Sequence, residues 1–345
     1  MKIDMLAVSG SPLGQTTETI WGKDGHIGVG GSELFMLTLC EEWQKAGHEV
    51  RLFNNPRKMG ASPFPQYPVN AFREGEERDV LIGFRVLNES FARAKAGMKV
   101  WLSCDQYATG DFKQFHSWAD KTVCISDFHA KYFADRYDIF DAVSIPIPVR
   151  MDDYVGIVDK KVHQRCLFSS VPDRGLDILA IAWPRIVGQV PDASLVITSD
   201  YRLWNQPHPN NERHRQAFMR IPNVQFLGAV PRLRLLQEQM KAEIMPYPCC
   251  YEELFAIAVS EAEYAGIWPI TSDIGALATT NLGTVIKGDA RNYAWIDQFV
   301  AETVKELLKD DDECEHRADL IHHWANIQFN PRDILDQWNR EVFNG

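Results

Sequence analysis

The sequence predicts an α/β protein of two doubly wound domains, each a parallel sheet covered by helices. Three observations carry this expectation. The chain has 345 residues, too many for one typical core and comfortable for two domains of about 150–200 residues each. Short apolar runs alternate with helical stretches along the whole length, the pattern of βαβ units. A Pro-rich break, IPIPVRMDDY at 145–154, interrupts that alternation once, near the middle, and reads as a hinge.

In the first half, IDMLAV (3–8) is a buried strand, followed by the polar SGSPLG and the loop GHIGVGG (25–31). Leu34, Leu37, Leu39 and Trp43 then line one face of a helix that Gly47 closes, and EVRLF is the next strand. DVLIGF (79–84), MKVWLS (98–103), KTVCIS (121–126) and AVSIPI (142–147) continue the strands. After the hinge come RCLFSS (165–170), a helix from Leu176, SLVITS (194–199), VQFLG (224–228) and a helix near 231–241. AEIMPY (242–247) leads to a helix expected from Leu254–Phe255, then WPITS (268–272) and TVIKG (284–288). Residues 293–326 read as helical, with DDDE (310–313) as a solvated loop, and NPRDILDQWNREVFNG as a last helix. The domains are expected at 1–150 and 151–326, with residues 327–345 crossing back to the first.

Hydrophobic content of 45% and charge of 24% are globular values. Net charge is −11, which argues against nucleic acid as partner. Residues 1–150 hold 17 basic and 19 acidic side chains, leaving 19 and 28 beyond, so an anion site must be local. Seven scattered cysteines (Cys40, Cys104, Cys124, Cys166, Cys249, Cys250, Cys314) read as reduced core residues of a cytoplasmic protein. No signal peptide or integral membrane segment is expected.

Two segments could carry chemistry. GHIGVGG places glycines before a helix, where backbone can approach an anion and the helix N-terminus offers unpaired N–H groups. A dinucleotide fingerprint would follow the first strand directly and end the second strand with an acid; here the second strand ends Phe53-Asn54, so an NAD(P)-dependent oxidoreductase is disfavoured. In YEELFAIAVSEAEYAG the amides of Leu254, Phe255 and Ala256 suit a phosphate, and Glu253 and Glu261 can border one cleft as acceptors for sugar hydroxyls. The alternative is that Glu253 caps the helix and Glu261 faces solvent beside Glu263.

The array resembles the retaining glycosyltransferases of family 4, the glycosyl transferases group 1. GGSELFMLTLCEEWQKAGHEV, VCISDFHAKYF, IPIPV and SSVPDRGLDILAIAWPRI are similar to that family's segments in order. The most specific stretch is VQFLGAVPRLRLLQEQMKAEIMPYPCCYEELFAIAVSEAEYAGIWPITSDIGAL, with the E-x7-E spacing of Glu253 and Glu261. The likeness spans roughly residues 25–290.

The resemblance implies the GT-B fold, two Rossmann-like domains facing a central cleft, the first on the acceptor side and the second holding the donor. It implies a metal-independent hexosyltransferase with no cofactor, using a UDP- or GDP-linked sugar as donor and a carbohydrate or other hydroxyl acceptor. Glu261 would accept from the nucleotide ribose, Glu253 would hold donor-sugar hydroxyls, and Arg174 would pair with the diphosphate, which Gly30 and Gly31 would face from the other domain. Ser169 stands where the family commonly has Arg, Arg174 replaces Lys, and Leu254 and Ala256 replace glycines. For the histidine the family places near the transferred sugar, Asp105 and His116 are the candidates. The alternatives are a non-catalytic nucleotide-sugar-binding protein of the same fold and a sugar-nucleotide epimerase or a phosphorylase.

Overall fold

The computed structural model describes residues 1–8, 14–22, 28–107, 110–204 and 210–344. The chain divides into two units, Met1–Pro148 with Pro331–Gly345, and Val149–Asn330.

The first unit runs β1 (Lys2–Leu6), α1 (Gly31–Lys45), β2 (Glu49–Phe53), β3 (Gln66–Tyr67), β4 (Val80–Phe84), α2 (Glu89–Arg93), β5 (Met98–Leu102), α3 (Phe112–Ser117), β6 (Lys121–Cys124), α4 (Asp127–Tyr137) and β7 (Val143–Ser144). The strands form one parallel sheet in the order β3-β2-β1-β4-β5-β6-β7. Val80–Phe84 is buried along its whole length and the other inner strands toward their carboxyl ends, as continuous apolar runs require when helices cover both faces. Side-chain oxygens of Asn88, Asp111 and Ser126 cap α2, α3 and α4.

The second unit runs β8 (Arg165–Phe168), α5 (Leu176–Val187), β9 (Ser194–Ile197), α6 (Asn210–Phe218), β10 (Val224–Phe226), α7 (Arg232–Lys241), β11 (Ile244–Tyr247), α8 (Ile257–Tyr264), β12 (Trp268–Ser272), β13 (Thr284–Ile286), α9 (Tyr293–Leu307) and α10 (Asp311–Gln328). Its sheet is again parallel, in the order β10-β9-β8-β11-β12-β13. In both units the chain leaves the middle of the sheet in one direction and resumes in the other, at β1/β4 and at β8/β11. Such switch points open a crevice beyond the carboxyl ends of the strands.

α11 (Pro331–Trp338) and the π-helical turn Asn339–Phe343 belong to the first unit. Trp338 is buried edge-on against Trp43 of α1, ring centroids 5.2 Å apart, and Phe343 lies 6.0 Å from the same indole.

Two sequence expectations are corrected. DDDE is not a loop: Asp310 is the N-cap of α10 and Glu313 completes a capping box, so the acids serve the helix start. The helix expected from Leu254–Phe255 begins at Ile257. The preceding backbone is held elsewhere: the Glu253 carbonyl accepts from the Ala276 amide at 2.7 Å.

Candidate active site

The crevice of the second unit is built where β8 and β11 end. These strands pair at Cys166 and Ile244, near their starts, and Pro246 brings no N–H to the ladder. The loop after β8 turns at Gly175, whose φ is +101°. A Cβ there would stand 2.0 Å from the Pro248 carbonyl oxygen, so the two loops meet over a position that only glycine fills. Gly275 does the same for the Glu253 backbone: φ is +63° and a Cβ would come within 2.3 Å of the Glu253 oxygen.

This framework fixes Arg174 and Glu253 together. Arg174 Nε donates to Glu253 Oε1 at 2.9 Å and its NH1 to Asp173 Oδ2 at 2.8 Å. The guanidinium lies 3.8 Å from the Tyr251 ring centroid, a cation–π contact. Tyr247 hydroxyl donates to the same Glu253 oxygen at 3.0 Å and stands 3.3 Å from Ser170 Oγ. Burial pushes the Glu253 carboxyl up while Arg174 pulls it back. Burial works against the charge of Arg174, but Glu253 and Tyr247 outweigh it and hold the guanidinium protonated. The result is a fixed cation on an aromatic plate at a switch point.

Glu261 is placed differently. It is buried in α8, and Arg232 of α7 reaches its Oε1 at 2.6 Å. Arg232 Nε also donates to Asp153 Oδ2 at 2.9 Å, and Arg150 reaches that oxygen at 3.0 Å. Tyr154 hydroxyl donates to Gln239 Oε1 at 2.8 Å. Glu261 Oε2 has a single long contact, 3.5 Å from Gln239 Nε2, among the described residues. Neither structural alternative for the two acids holds: Ala256, not Glu253, is the N-cap of α8, and Glu261 and Glu263 are both buried.

The late helix start changes which amides stand at the helix N-terminus. The first turn of α8 offers the N–H groups of Ile257 and Ala258, which lack intrahelical acceptors by geometry; Leu254, Phe255 and Ala256 form the buried approach to it. Ser169, directly after β8, is buried, and its hydroxyl has no hydrogen-bond partner among the described residues. The hydroxyls of Thr198 and Ser199, after the neighbouring β9, share that condition. Three uncommitted donors thus lie along one sheet edge.

In the first unit, Gly30 is the N-cap of α1 and Gly31 its first residue; residues 25–27 of GHIGVGG lie outside the described residues, as do 9–13 of SGSPLG. Asp105, after β5, is gripped at both oxygens by Arg85, Nε to Oδ2 at 2.7 Å and NH2 to Oδ1 at 2.8 Å. Arg85 itself holds φ of +64°, its amide bonded to the Leu102 carbonyl at 2.9 Å. Glu33, in the first turn of α1, is buried near this pair, and burial lifts its carboxyl to about 7. His116 does not join them. α3 runs back from the carboxyl edge, and His116 Nδ1 sits 2.9 Å from Thr122 Oγ1 at the start of β6. Its candidacy beside a transferred sugar is therefore withdrawn. Asp173, Tyr247, Tyr251, Arg232, Arg85 and Glu33 were not singled out from sequence; only Asp173, in PDRG beside Arg174, carried a local signal.

Residues 169–323 match the family model described as glycosyl transferases group 1. Comparison with curated proteins gave no match. Among solved structures, a glycosyltransferase from Rickettsia africae aligns with a TM-score of 0.71 at 14% identity, covering 100% of this chain and 99% of that one. HepE from Anabaena, in complex with UDP and glucose, aligns at 0.67 and 15%, covering 99% of each. The catalytic domain of starch synthase IV from Arabidopsis thaliana, bound to ADP and acarbose, aligns at 0.68 and 11%, covering 99% and 98%. The fold is GT-B. With a group 1 domain on its second unit, the chain is by class a glycosyltransferase.

Proposed function

We propose that this protein moves a sugar from a nucleoside-diphosphate sugar, UDP- or GDP-linked, to a hydroxyl acceptor with retention of anomeric configuration, and that the transfer needs no metal. Arg174 carries the proposal: a desolvated guanidinium, oriented by Glu253 and Tyr251, at the switch point of a group 1 domain. When the bond between the sugar and its phosphate breaks, negative charge grows on the leaving diphosphate. A fixed guanidinium and the first-turn amides of α8 supply the stabilisation a divalent ion gives elsewhere. Glu253 holds donor-sugar hydroxyls with the lone pairs that Arg174 and Tyr247 leave free. Glu261 accepts from the ribose through Oε2, its other oxygen being held by Arg232. Ser169, Thr198 and Ser199 supply hydroxyl donors to the nucleotide. UDP in HepE and ADP in starch synthase IV are consistent with a nucleoside diphosphate as a ligand of this fold.

A second reading is a nucleotide-sugar binder without transfer. The commitment of Arg174 to two carboxylates favours it. The test is to incubate the protein with UDP-, GDP- and ADP-sugars and an acceptor panel. Released diphosphate and a product with the donor's anomeric configuration are expected. Ligand-dependent melting without released diphosphate would select the binder, and an inverted product would overturn retention.

A further inference from the structure

At the opposite edge of the same sheet, before β8 and β11 begin, a second group of chemically apt side chains converges. His163 lies two residues ahead of β8, Glu243 immediately ahead of β11, and Cys314 in the first turns of α10. Their ligating atoms all lie within 4.8 Å of one another. His163 Nδ1 is 3.6 Å from Glu243 Oε2 and 3.8 Å from Oδ1 of Asp311. Asp311 and Cys314, three apart in α10, share one helix face.

We propose that these four side chains form a zinc site that clips α10 to the amino edge of the six-stranded sheet. Imidazole, thiolate and two carboxylates are a mixed donor set that zinc accepts in tetrahedral geometry and that hard ions, which avoid sulfur, do not. Bonds of about 2.0–2.3 Å place tetrahedral ligands about 3.3–3.6 Å apart. Among His163, Glu243 and Cys314 the separations need to close by up to about 1.5 Å, and that between His163 and Asp311 by about 0.5 Å, to reach that geometry. Glu243 and Cys314 are buried and His163 is partly exposed, so the ion has both a fixed floor and a way in. A cavity of about 630 Å³ reaches all four.

The surroundings match such an ion. Glu243 Oε2 also accepts the Gln164 amide at 2.8 Å, which orients the carboxylate from behind. Arg317 points NH2 at Cys314 Sγ from 3.5 Å. Thiolate and two carboxylates bring three negative charges; zinc supplies two positive ones and Arg317 the third. Glu306, which Arg317 also touches at 2.7 Å, is matched by Lys309 at 2.7 Å. The site stands a strand's length from Arg174 and Glu253, which follow the far ends of the same two strands. Its role is to secure a helix, and sugar transfer proceeds without it.

The test uses the purified full chain, stripped with chelator and titrated with ZnCl2 and CoCl2. One equivalent of metal is expected, with a thiolate-to-cobalt charge-transfer band, the visible bands of a tetrahedral ion, and a zinc-dependent rise in melting temperature. Cys314→Ser, nearly isosteric, should melt near the stripped parent yet lose the charge-transfer band and the zinc-dependent rise. Cys314→Ser and His163→Ala should each weaken zinc binding by at least about tenfold, while His323→Ala, exposed on α10 and outside the cavity lining, should bind as the parent does. No stoichiometric uptake, a cobalt spectrum without the charge-transfer band, or equal uptake by Cys314→Ser would overturn the site.

Discussion

At the scale of single residues, charge placement decides the chemistry. Under the function proposed, Arg174→Ala removes the cation assigned to the leaving diphosphate and should lower transfer by about 10²–10³-fold, more through turnover than through donor affinity. Arg174→Lys should restore only part of this, because an ammonium cannot lie on Tyr251 and donate laterally to Glu253 at once. Steady-state kinetics on both variants checks the split. Glu261→Gln tests a different kind of acid. It strips the buried Arg232 of a partner, so a stability loss of about 3 kcal/mol or more is expected alongside weaker nucleotide binding. Calorimetric binding below the variant's melting temperature separates the two effects. Glu33 gives a pH signature. Burial raises its carboxyl from 4.5 to about 7, so the folded chain binds this proton more tightly than the unfolded one. Its stabilising contribution is whole below pH 4.5 and lost as pH rises through 7. Glu33→Gln lacks that loss, so its stability relative to the parent should grow between pH 4.5 and 7 by up to about 3 kcal/mol. His129, held down to about 3 by burial, has the opposite sign but is common to both chains and cancels in the difference. Denaturant melts across that range read the gap directly.

At the scale of elements, the sequence made most strands legible and few of their junctions. Apolar runs such as Val80–Phe84 announce buried parallel strands because every side chain in them meets protein. The helix α8 starts about three residues later than the apolar Leu254–Phe255–Ala256 run suggests, because the backbone of Glu253 just before that run is captured by Gly275 and Ala276, more than twenty residues on. Asp310–Glu313 was misread for the converse reason: a run of acids looks like a solvated loop unless its capping geometry is considered. Arg174 and Glu253 could be marked from the sequence, but their hydrogen bond could not, since it depends on how closely the loops after β8 and β11 approach. Gly175 sets that approach. Gly175→Ala places a methyl 2.0 Å from the Pro248 oxygen at an unfavourable φ, so the loops must separate. A loss of at least about 3 kcal/mol is expected, and any residual folded protein should show the Arg174→Ala kinetic defect. Wild-type kinetics in a stably folded Gly175→Ala protein would show that the contact is not what positions Arg174.

At the scale of the whole molecule, alternation in the sequence implied parallel sheets but not their strand order, because periodicity does not say which neighbour a strand chooses. The order puts β8 beside β11, and so brings residues 169–175 to residues 247–253. The last fifteen residues follow a different rule. Pro331–Gly345 belong to the first unit, where Trp338, fully buried, packs against Trp43, and Gln337 donates to the Ser144 carbonyl at 2.9 Å. A chain of two units need not melt in one step, which makes this arrangement testable. Trp338→Ala opens a cavity beside α1 and should cost the first unit about 3–5 kcal/mol. The second unit contributes neither residue of the pair, so its transition should stay where it is and should still rise with added UDP or GDP under the function proposed. Calorimetry of parent and variant, with and without nucleotide, resolves the two transitions. If the nucleotide-sensitive transition falls with Trp338→Ala while the other stays fixed, the terminal helix supports the second unit and its place in the first is wrong.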